Sequence, residues 1–455
     1  MSDTHSYYRL CFKLVSPMLI GGGKNNNTDN DVLLGKDGKP YIPATSIAGA
    51  LRGMQEKDDD KKRLFGVVER VKDEKGNVKT VSIESPAILS DAVINGKAEA
   101  TVTRRDNVAL DEFKVAKESA KFNYEVVQPG VEFVAIAEIN KDHSDITADF
   151  EKLLAYAAAN GLSFGAKSTR GLGKVELSVG KKSFDFDDGN ALGAWLEYDP
   201  FKASDFTPVE LKTDVVPDTI RIKLELKQKG GLSIRYYTGE IGGEKQAAVK
   251  NSPLLVRAEP LEGEDCNGEY ISDPGTPSAC SLPVIPGTSW AGAFRRRFME
   301  FAGEDLTKEV FGHVDNTKGK DAPKKSIKSK IAFSETVLRR GIPKKLTRIA
   351  IDRFSGAVKD KALLTEQSVF YGEGELLITI DRGVGQKALQ ALLAVISDLH
   401  NGFLAVGGET AIGRGMFEIK GMTINENAVG EITFCKMKTV LDKIPAWTTE
   451  EEDND

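Results

Sequence analysis

The chain reads as two tandem α+β modules, and three observations carry that reading. A set of segments occurs twice in the same order, each copy has an alternating apolar stretch at or near its start, and each copy holds two helix signals separated by strand-forming stretches. The clearest repeat is Ile42-Pro-Ala-Thr-Ser-Ile-Ala-Gly-Ala-Leu-Arg52, which returns as Ile285-Pro-Gly-Thr-Ser-Trp-Ala-Gly-Ala-Phe-Arg295 with eight of eleven positions identical. Leu64-Phe65-Gly66 returns as Val310-Phe311-Gly312, Ala87 to Ala92 as Ile331 to Thr336, Glu125 to Phe133 as Ser368 to Leu376, and Phe164 to Leu177 as Val406 to Ile419. The offsets stay between 242 and 246 residues, so these matches are readings of one duplication.

The elements follow in order. Tyr7 to Val15 and the strictly alternating Ile220 to Leu226 predict an opening strand in each copy. After the Ile-Pro dipeptide, Thr45 or Ser46 and Thr288 or Ser289 are suited to cap a helix that carries Ala-Gly-Ala. Glycine inside a helix costs about 1 kcal/mol relative to alanine, so its presence in both copies predicts a closely packed backbone there. Asp149 to Asn160 and Gln386 to Asn401 predict a second helix in each copy, stopped by Gly161 and Gly402. A glycine-rich loop and a strand close each copy. Strand, helix, strands, helix and strand fit a ferredoxin-like layout, a sheet with two helices on one face. The acidic, Pro-containing stretch from Ser178 to Asp218 reads as peripheral structure plus linker. The expected domains are 1–200, 218–432 and a charged tail at 433–455.

Composition narrows the function. With 455 residues, 40% hydrophobic and 29% charged, the chain is an ordinary soluble protein, without an apolar run long enough for a membrane span and without a secretory layout at Met1 to Leu10; a cytoplasmic location is expected. Net charge is −6, but five carboxylates lie in Glu450 to Asp455, so the body is nearly neutral and local patches decide whether it meets nucleic acid. Lys318 to Arg348 holds eleven basic residues against two acids, enough to neutralise several phosphates, or simply a solvated loop. Cys11, Cys266, Cys280 and Cys435 form no C-x-x-C pair, and the four histidines are scattered, which argues against zinc and Ser-His or Cys-His chemistry.

Two kinds of segment remain. Gly165 to Gly173 and Gly407 to Gly415 run helix to strand, the reverse of a Walker phosphate loop, so nucleotide hydrolysis is not expected. Their glycines could expose N–H groups to phosphates, with Lys167, Arg170 and Arg414 adding charge; a tight turn is the other reading. Gly21 to Asp31 is polar and bears Asp29 and Asp31, which could hold a Mg²⁺ with several of its waters or position an RNA 2′-hydroxyl; a solvated loop would look the same. In the second copy Asn251 stands where the first has an acid, so a catalytic loop would belong to the first copy.

The ordered set — Gly-Gly loop, Ile-Pro-x-Thr/Ser-Ser-x-x-Gly-x-x-Arg, Phe-Gly, Ser-Asp, glycine-rich loop — resembles the RAMP superfamily of CRISPR–Cas effector complexes, over about 1–178 and 219–420. It is most similar to the backbone subunits of type III complexes, here with two copies fused as in type III-D. The resemblance implies an RRM-like palm that grips guide RNA, with Ser46, Arg52, Lys167 and Arg170 in the first copy and Ser289, Arg295 and Arg414 in the second as RNA contacts. It implies thumb hairpins at Arg104 to Tyr124 and Arg348 to Phe370, the latter bringing Arg348 and Arg353 to RNA. It also implies metal-dependent cleavage of guide-complementary target RNA by an Asp on the loop after the first strand, Asp29 or Asp31, with Mg²⁺ as cofactor. Partners would be CRISPR guide RNA, complementary target RNA and other type III effector subunits, and no membrane. Asn251 and the insertion Arg257 to Leu282 depart from the pattern. A non-catalytic architectural subunit is the alternative; a guide-processing nuclease would call for a histidine near a glycine loop, and none is there.

Overall fold

The structure, a computed structural model, describes residues 4–23, 28–55, 58–72, 78–96, 99–110, 116–139, 145–212, 219–234, 253–258, 280–314, 326–425 and 427–428. The chain divides into two compact units. The first comprises 1–104, 124–166 and 173–217; the second comprises 105–123, 167–172 and 218–455.

Copy one contributes β1 (Thr4–Leu14), α1 (Ala44–Arg52), β2 (Ala87–Leu89), the hairpin β3 (Val102–Leu110) and β4 (Ala116–Val127), β5 (Glu132–Ile139), α2 (Thr147–Asn160) and β6 (Lys174–Asp185). The sheet runs β6-β1-β5-β2, every neighbouring pair antiparallel, which is the ferredoxin-like order. Leu10 lies opposite Ala135 on one side and Val179 on the other. Alternation along β1 sends Tyr8, Leu10, Phe12 and Leu14 into the core, where Ile47 and Leu51 of α1 and Phe150, Leu153 and Leu154 of α2 cover them.

Copy two repeats the plan with β7 (Thr219–Lys229), α3 (Gly287–Ala302), β8 (Ile331–Phe333), the hairpin β9 (Ile342–Ile351) and β10 (Val358–Phe370), β11 (Glu373–Asp381), α4 (Gln386–Asn401) and β12 (Met416–Ile424). Its sheet order, β12-β7-β11-β8, is the same. Trp290, Phe294 and Phe298 recur at helical spacing on α3 and are fully buried against the sheet and α4. The Trp290 indole N–H donates to Thr336 Oγ1 at 3.0 Å, satisfying a polar group that burial would otherwise penalise.

Three expectations are corrected. Thr45, Ser46, Thr288 and Ser289 are not helix caps: α1 and α3 start one residue after the Ile-Pro proline, because its fixed φ pre-sets the first turn. The Ala44 N–H is satisfied from outside the helix, donating to Asp91 Oδ1 at 2.7 Å. No backbone packs on Gly49 or Gly292: among the described residues, a Cβ at either would meet nothing within 4 Å. Of the stretch read as peripheral structure plus linker, 178–212 is folded onto the first copy's sheet and 213–218 lies outside the described residues; β6 runs to Asp185, a helix spans Ala191–Glu197, and Thr207–Pro208 joins the free edge of β6. Phe184, Tyr198 and Phe206 from this stretch pack on Tyr7, on the sheet face opposite the helices, and burial raises the Tyr7 phenol to about 12.

The glycine loops are anchored identically. The Phe164 N–H donates to Gly173 O and the Gly173 N–H to Pro17 O, at 2.9 and 2.7 Å; the Val406 N–H donates to Gly415 O and the Gly415 N–H to Gly231 O, both at 2.9 Å. At each foot the backbones are so close that a Cβ on Gly173 would overlap the Phe164 carbonyl, and φ is +74°. Gly173→Ala is expected to destabilise the protein by about 1–3 kcal/mol or more through this strain, read by denaturant unfolding, with Gly415→Ala giving a similar loss.

Candidate nucleic-acid interface

The loop after β1 closes on itself as a narrow ribbon. The Gly22 N–H donates to Asp31 O at 2.8 Å, the Asp31 N–H to Gly23 O at 3.1 Å and the Leu33 N–H to Ile20 O at 2.9 Å. The ribbon is braced on β4: the Glu125 N–H donates to Asn30 O at 3.1 Å, and the Val32 N–H donates to Glu125 Oε2 at 3.0 Å. This framework separates the two candidate acids. Asp31 is 6% exposed and its carboxylate accepts a hydrogen bond from the Thr28 hydroxyl, so it is spent on holding the loop. Asp29, two residues earlier in the turn, is exposed. Among the described residues no three Asp, Glu, His or Cys side chains gather as a metal cage. Asn251, with the rest of the matching loop of copy two, lies outside the described residues.

A basic cluster forms within the second unit. Lys167 takes the left-handed conformation (φ 61°) with Nζ 4.4 Å from the centre of the Phe122 ring. Burial, then the charges of Arg170 and Arg105, lower its amine from the ordinary 10.5 to about 8. Arg295, half-buried on α3, donates to Gly312 O at 3.0 Å, and burial and Arg170 lower its pKa too. Positive charge gathered at Lys167, Arg170 and Arg295 is of the sign that suits a phosphate. Ser289 is half-buried in the first turn of the same helix, whose N-terminal dipole adds to the field. In the first unit Ser46 is half-buried and Arg52 exposed on the corresponding helix.

The second hairpin redistributes the remaining candidates. Arg414 is 8% exposed and ion-paired with Glu366 and Glu409, so it is not a surface phosphate contact; it ties the glycine loop to β10. Arg348 also pairs with Glu366 and Glu409, at 3.0 and 2.6 Å, but stays partly open. Arg353 is exposed at the hairpin turn, where Asp352 Oδ1 accepts the N–H groups of Phe354 and Ser355. Phe354 beside it is 99% exposed. Sequence reasoning missed Phe354; the signal was the Asp-Arg-Phe-Ser-Gly turn, in which an aromatic has no core to enter. Of the basic run, 315–325 lies outside the described residues and Lys330 is paired with Glu309.

Among the described residues, the sheet faces opposite the helices do not offer a stacking platform of the RRM kind. The first is covered by the 184–206 aromatics, and the second carries Lys223–Glu375 and Lys227–Glu373 ion pairs.

The sequence matches the RAMP superfamily over residues 11–176 and 275–418, more than half of the chain. No curated protein matches it. Among solved structures, it is similar to a chain of Type III-B Cmr-beta in the apo state (13% identity, TM-score 0.30) and to one of Type III-B Cmr-beta bound to cognate target RNA (12% identity, TM-score 0.30), both seen by cryo-EM. Each match covers 38% of this chain and 96% of the other. No helix among the described residues is long and apolar enough to cross a membrane.

Two predictions come from this geometry. Gly49→Ala and Gly292→Ala fill open space in helix interiors, so each is expected to gain about 0.5–1 kcal/mol of stability, read by denaturant unfolding. Affinity of the Lys167 cluster for a phosphate anion is expected to fall as pH rises through about 8, as Lys167 loses its proton, with Lys167→Arg flattening the profile. Folding stability has the opposite sign: the unfolded chain binds more protons between about 8 and 10.5, so this group's contribution to stability rises with pH there.

Proposed function

The chain belongs to the RAMP superfamily, and from that premise we propose that it is a guide-RNA-binding backbone subunit of a type III CRISPR effector that cuts guide-complementary target RNA from its first copy. The observation that carries the cleavage reading is the split between the two acids. Asp29 is exposed on a loop braced at both sides, while Asp31 is committed to holding that loop. A carboxylate so placed can accept the proton of an RNA 2′-hydroxyl as its oxygen attacks the neighbouring phosphorus and the P–O5′ bond breaks, leaving a 2′,3′-cyclic phosphate and a 5′-oxygen that takes a proton from water, provided that the scissile phosphate is brought to it. Bringing it there is the task of the guide, held at Lys167, Arg170 and Arg295, with Ser46, Arg52 and Ser289 on the two Ile-Pro helices. Arg353 and Phe354 at the hairpin turn suit a tip that contacts phosphate and stacks on a base. The cofactor in this proposal is a Mg²⁺ ion, or another divalent cation, that arrives with the RNA and offsets charge at the phosphate; Asp29 is the one exposed carboxylate of the loop that could meet its waters.

One observation favours the architectural reading instead: no group of three potential metal ligands gathers among the described residues. Reconstitution with guide and labelled target RNA, with Mg²⁺ or chelator, decides between them. Asp29→Ala is expected to reduce cleavage by about 10² to 10⁴ with guide and target binding retained. Asp31→Ala is expected to act through the loop, lowering thermal stability as well as cleavage. Normal cleavage by both single variants and by the double variant would make the chain a scaffold.

A further inference from the structure

The Ala191–Glu197 helix stands in an unusual relation to solvent. Its sequence, Ala-Leu-Gly-Ala-Trp-Leu-Glu, has the apolar content of a core helix, yet none of its residues is buried. Leu192 is 56% exposed, Trp195 36% and Leu196 70%, and Phe201 shortly after the helix is 47% exposed. Residues three and four apart share a helix face, so Leu192, Trp195 and Leu196 form one apolar ridge. Single exposed leucines are ordinary, whereas a contiguous ridge of them marks a contact surface.

The ridge is held from beneath. The Trp195 indole N–H donates to the Tyr7 hydroxyl at 3.2 Å, and that hydroxyl donates to Glu138 Oε1 at 3.3 Å. The Trp195 ring stands edge-on to Phe186, and Tyr198, the residue after the helix, packs on Tyr7, Phe184 and Phe206. Seven residues do not sustain a helix in water by themselves, so these aromatic contacts fix it to the sheet. A tryptophan fixed before binding loses little freedom when a partner arrives, and tryptophan is enriched among the anchors of protein interfaces. The helix also lies beyond the last repeated segment of copy one, which ends at Leu177, so the duplicated plan does not account for it.

Charge around the ridge selects its occupant. Asp185, Asp187 and Asp188 precede the helix, Glu197 and Asp199 close it, and all five are exposed. From 185 to 205 the one basic residue is Lys202, which pairs with Asp205 at 3.8 Å. Such a rim repels the phosphates of RNA, and two copies meeting through the same patch would set like charges face to face. We propose that the Ala191–Glu197 helix is a docking surface for another protein, and that the occupant is a basic amphipathic helix. Apolar side chains at helical spacing would interleave with Leu192, Trp195 and Leu196, and flanking Lys or Arg would meet the acids at either end. The proposal is independent of the guide-binding and cleavage readings, and it is tested without RNA cleavage as a readout.

The test is binding of a fluorescein-labelled peptide to the full chain, read by anisotropy. The probe is a helix-forming Leu/Lys peptide of about 18 residues, compared with a Leu/Glu peptide of the same pattern. Wild type is expected to bind the Leu/Lys peptide, and Leu192→Ser/Leu196→Ser is expected to weaken that binding by about tenfold or more. Neither leucine is buried and no charge changes, so this variant is expected to fold as wild type does, which circular dichroism checks. Asp188→Asn/Glu197→Gln is expected to weaken binding too and to flatten its dependence on salt. A Leu/Lys peptide that does not bind, or that binds the serine variant as tightly as wild type, overturns the proposal, and so does equal binding of the Leu/Glu peptide. Two further results would overturn it by naming a different occupant: a single-stranded RNA whose affinity falls in the serine variant, or wild-type self-association in sedimentation that the serine variant abolishes.

Discussion

Each copy depends on one strand being hydrogen-bonded along both edges. β1 pairs with β6 from Thr4 to Leu14 and with β5 from Ser6 to Lys13; β7 does the same with β12 and β11. A strand fixed on both sides cannot slip by one residue without sending its whole apolar row to the wrong face. That register delivers everything else: the buried row on which both helices pack, the emergence of the loop bearing Asp29, and the anchoring of the glycine loop beneath Pro17 and Gly231.

Much of this architecture was legible in the amino-acid sequence because duplication doubles each signal. The alternation of Ile220 to Leu226 was unambiguous and lent its meaning to the weaker Tyr7 to Val15. The glycine stops at Gly161 and Gly402 were readable because a left-handed exit has few chemical solutions. Helix starts were misplaced because proline at the N-terminus and hydroxyl capping give the same local signal, and here the proline decided. The 184–206 aromatics were not legible as sheet cover, since their partner, Tyr7, lies far away in sequence. At the site, residue types were legible and their commitments were not. Arg414 and Arg170 look alike as letters, yet Glu366 and Glu409 neutralise the first while the second stands beside Arg295 and Lys167. Asp29 and Asp31 were inseparable until burial and the Thr28 hydroxyl set Asp31 apart from the exposed Asp29.

The divergence between the copies follows a physical logic. Glycines that admit a backbone at close range persist in both, because a Cβ there costs strain irrespective of function. Charges changed freely, since a lysine and a glutamate occupy the same half-buried left-handed position. One copy has kept a cationic loop beside α3, and the other has turned the same loop inward onto its own arginines. Duplication thus fixed geometry and released electrostatics.

The covalent link between the copies has a consequence for how one backbone contact behaves, the one in which Gly171 packs against Phe333 and Glu335 and Gly287 packs against Arg170. Between separate subunits, its occupancy would follow their concentrations. Within one chain the two sides meet at an effective local concentration set by the tether, commonly millimolar for short connections, so dilution does not empty it. Damage at Gly171, Gly287 or Glu335 would accordingly surface as a folding defect of one polypeptide.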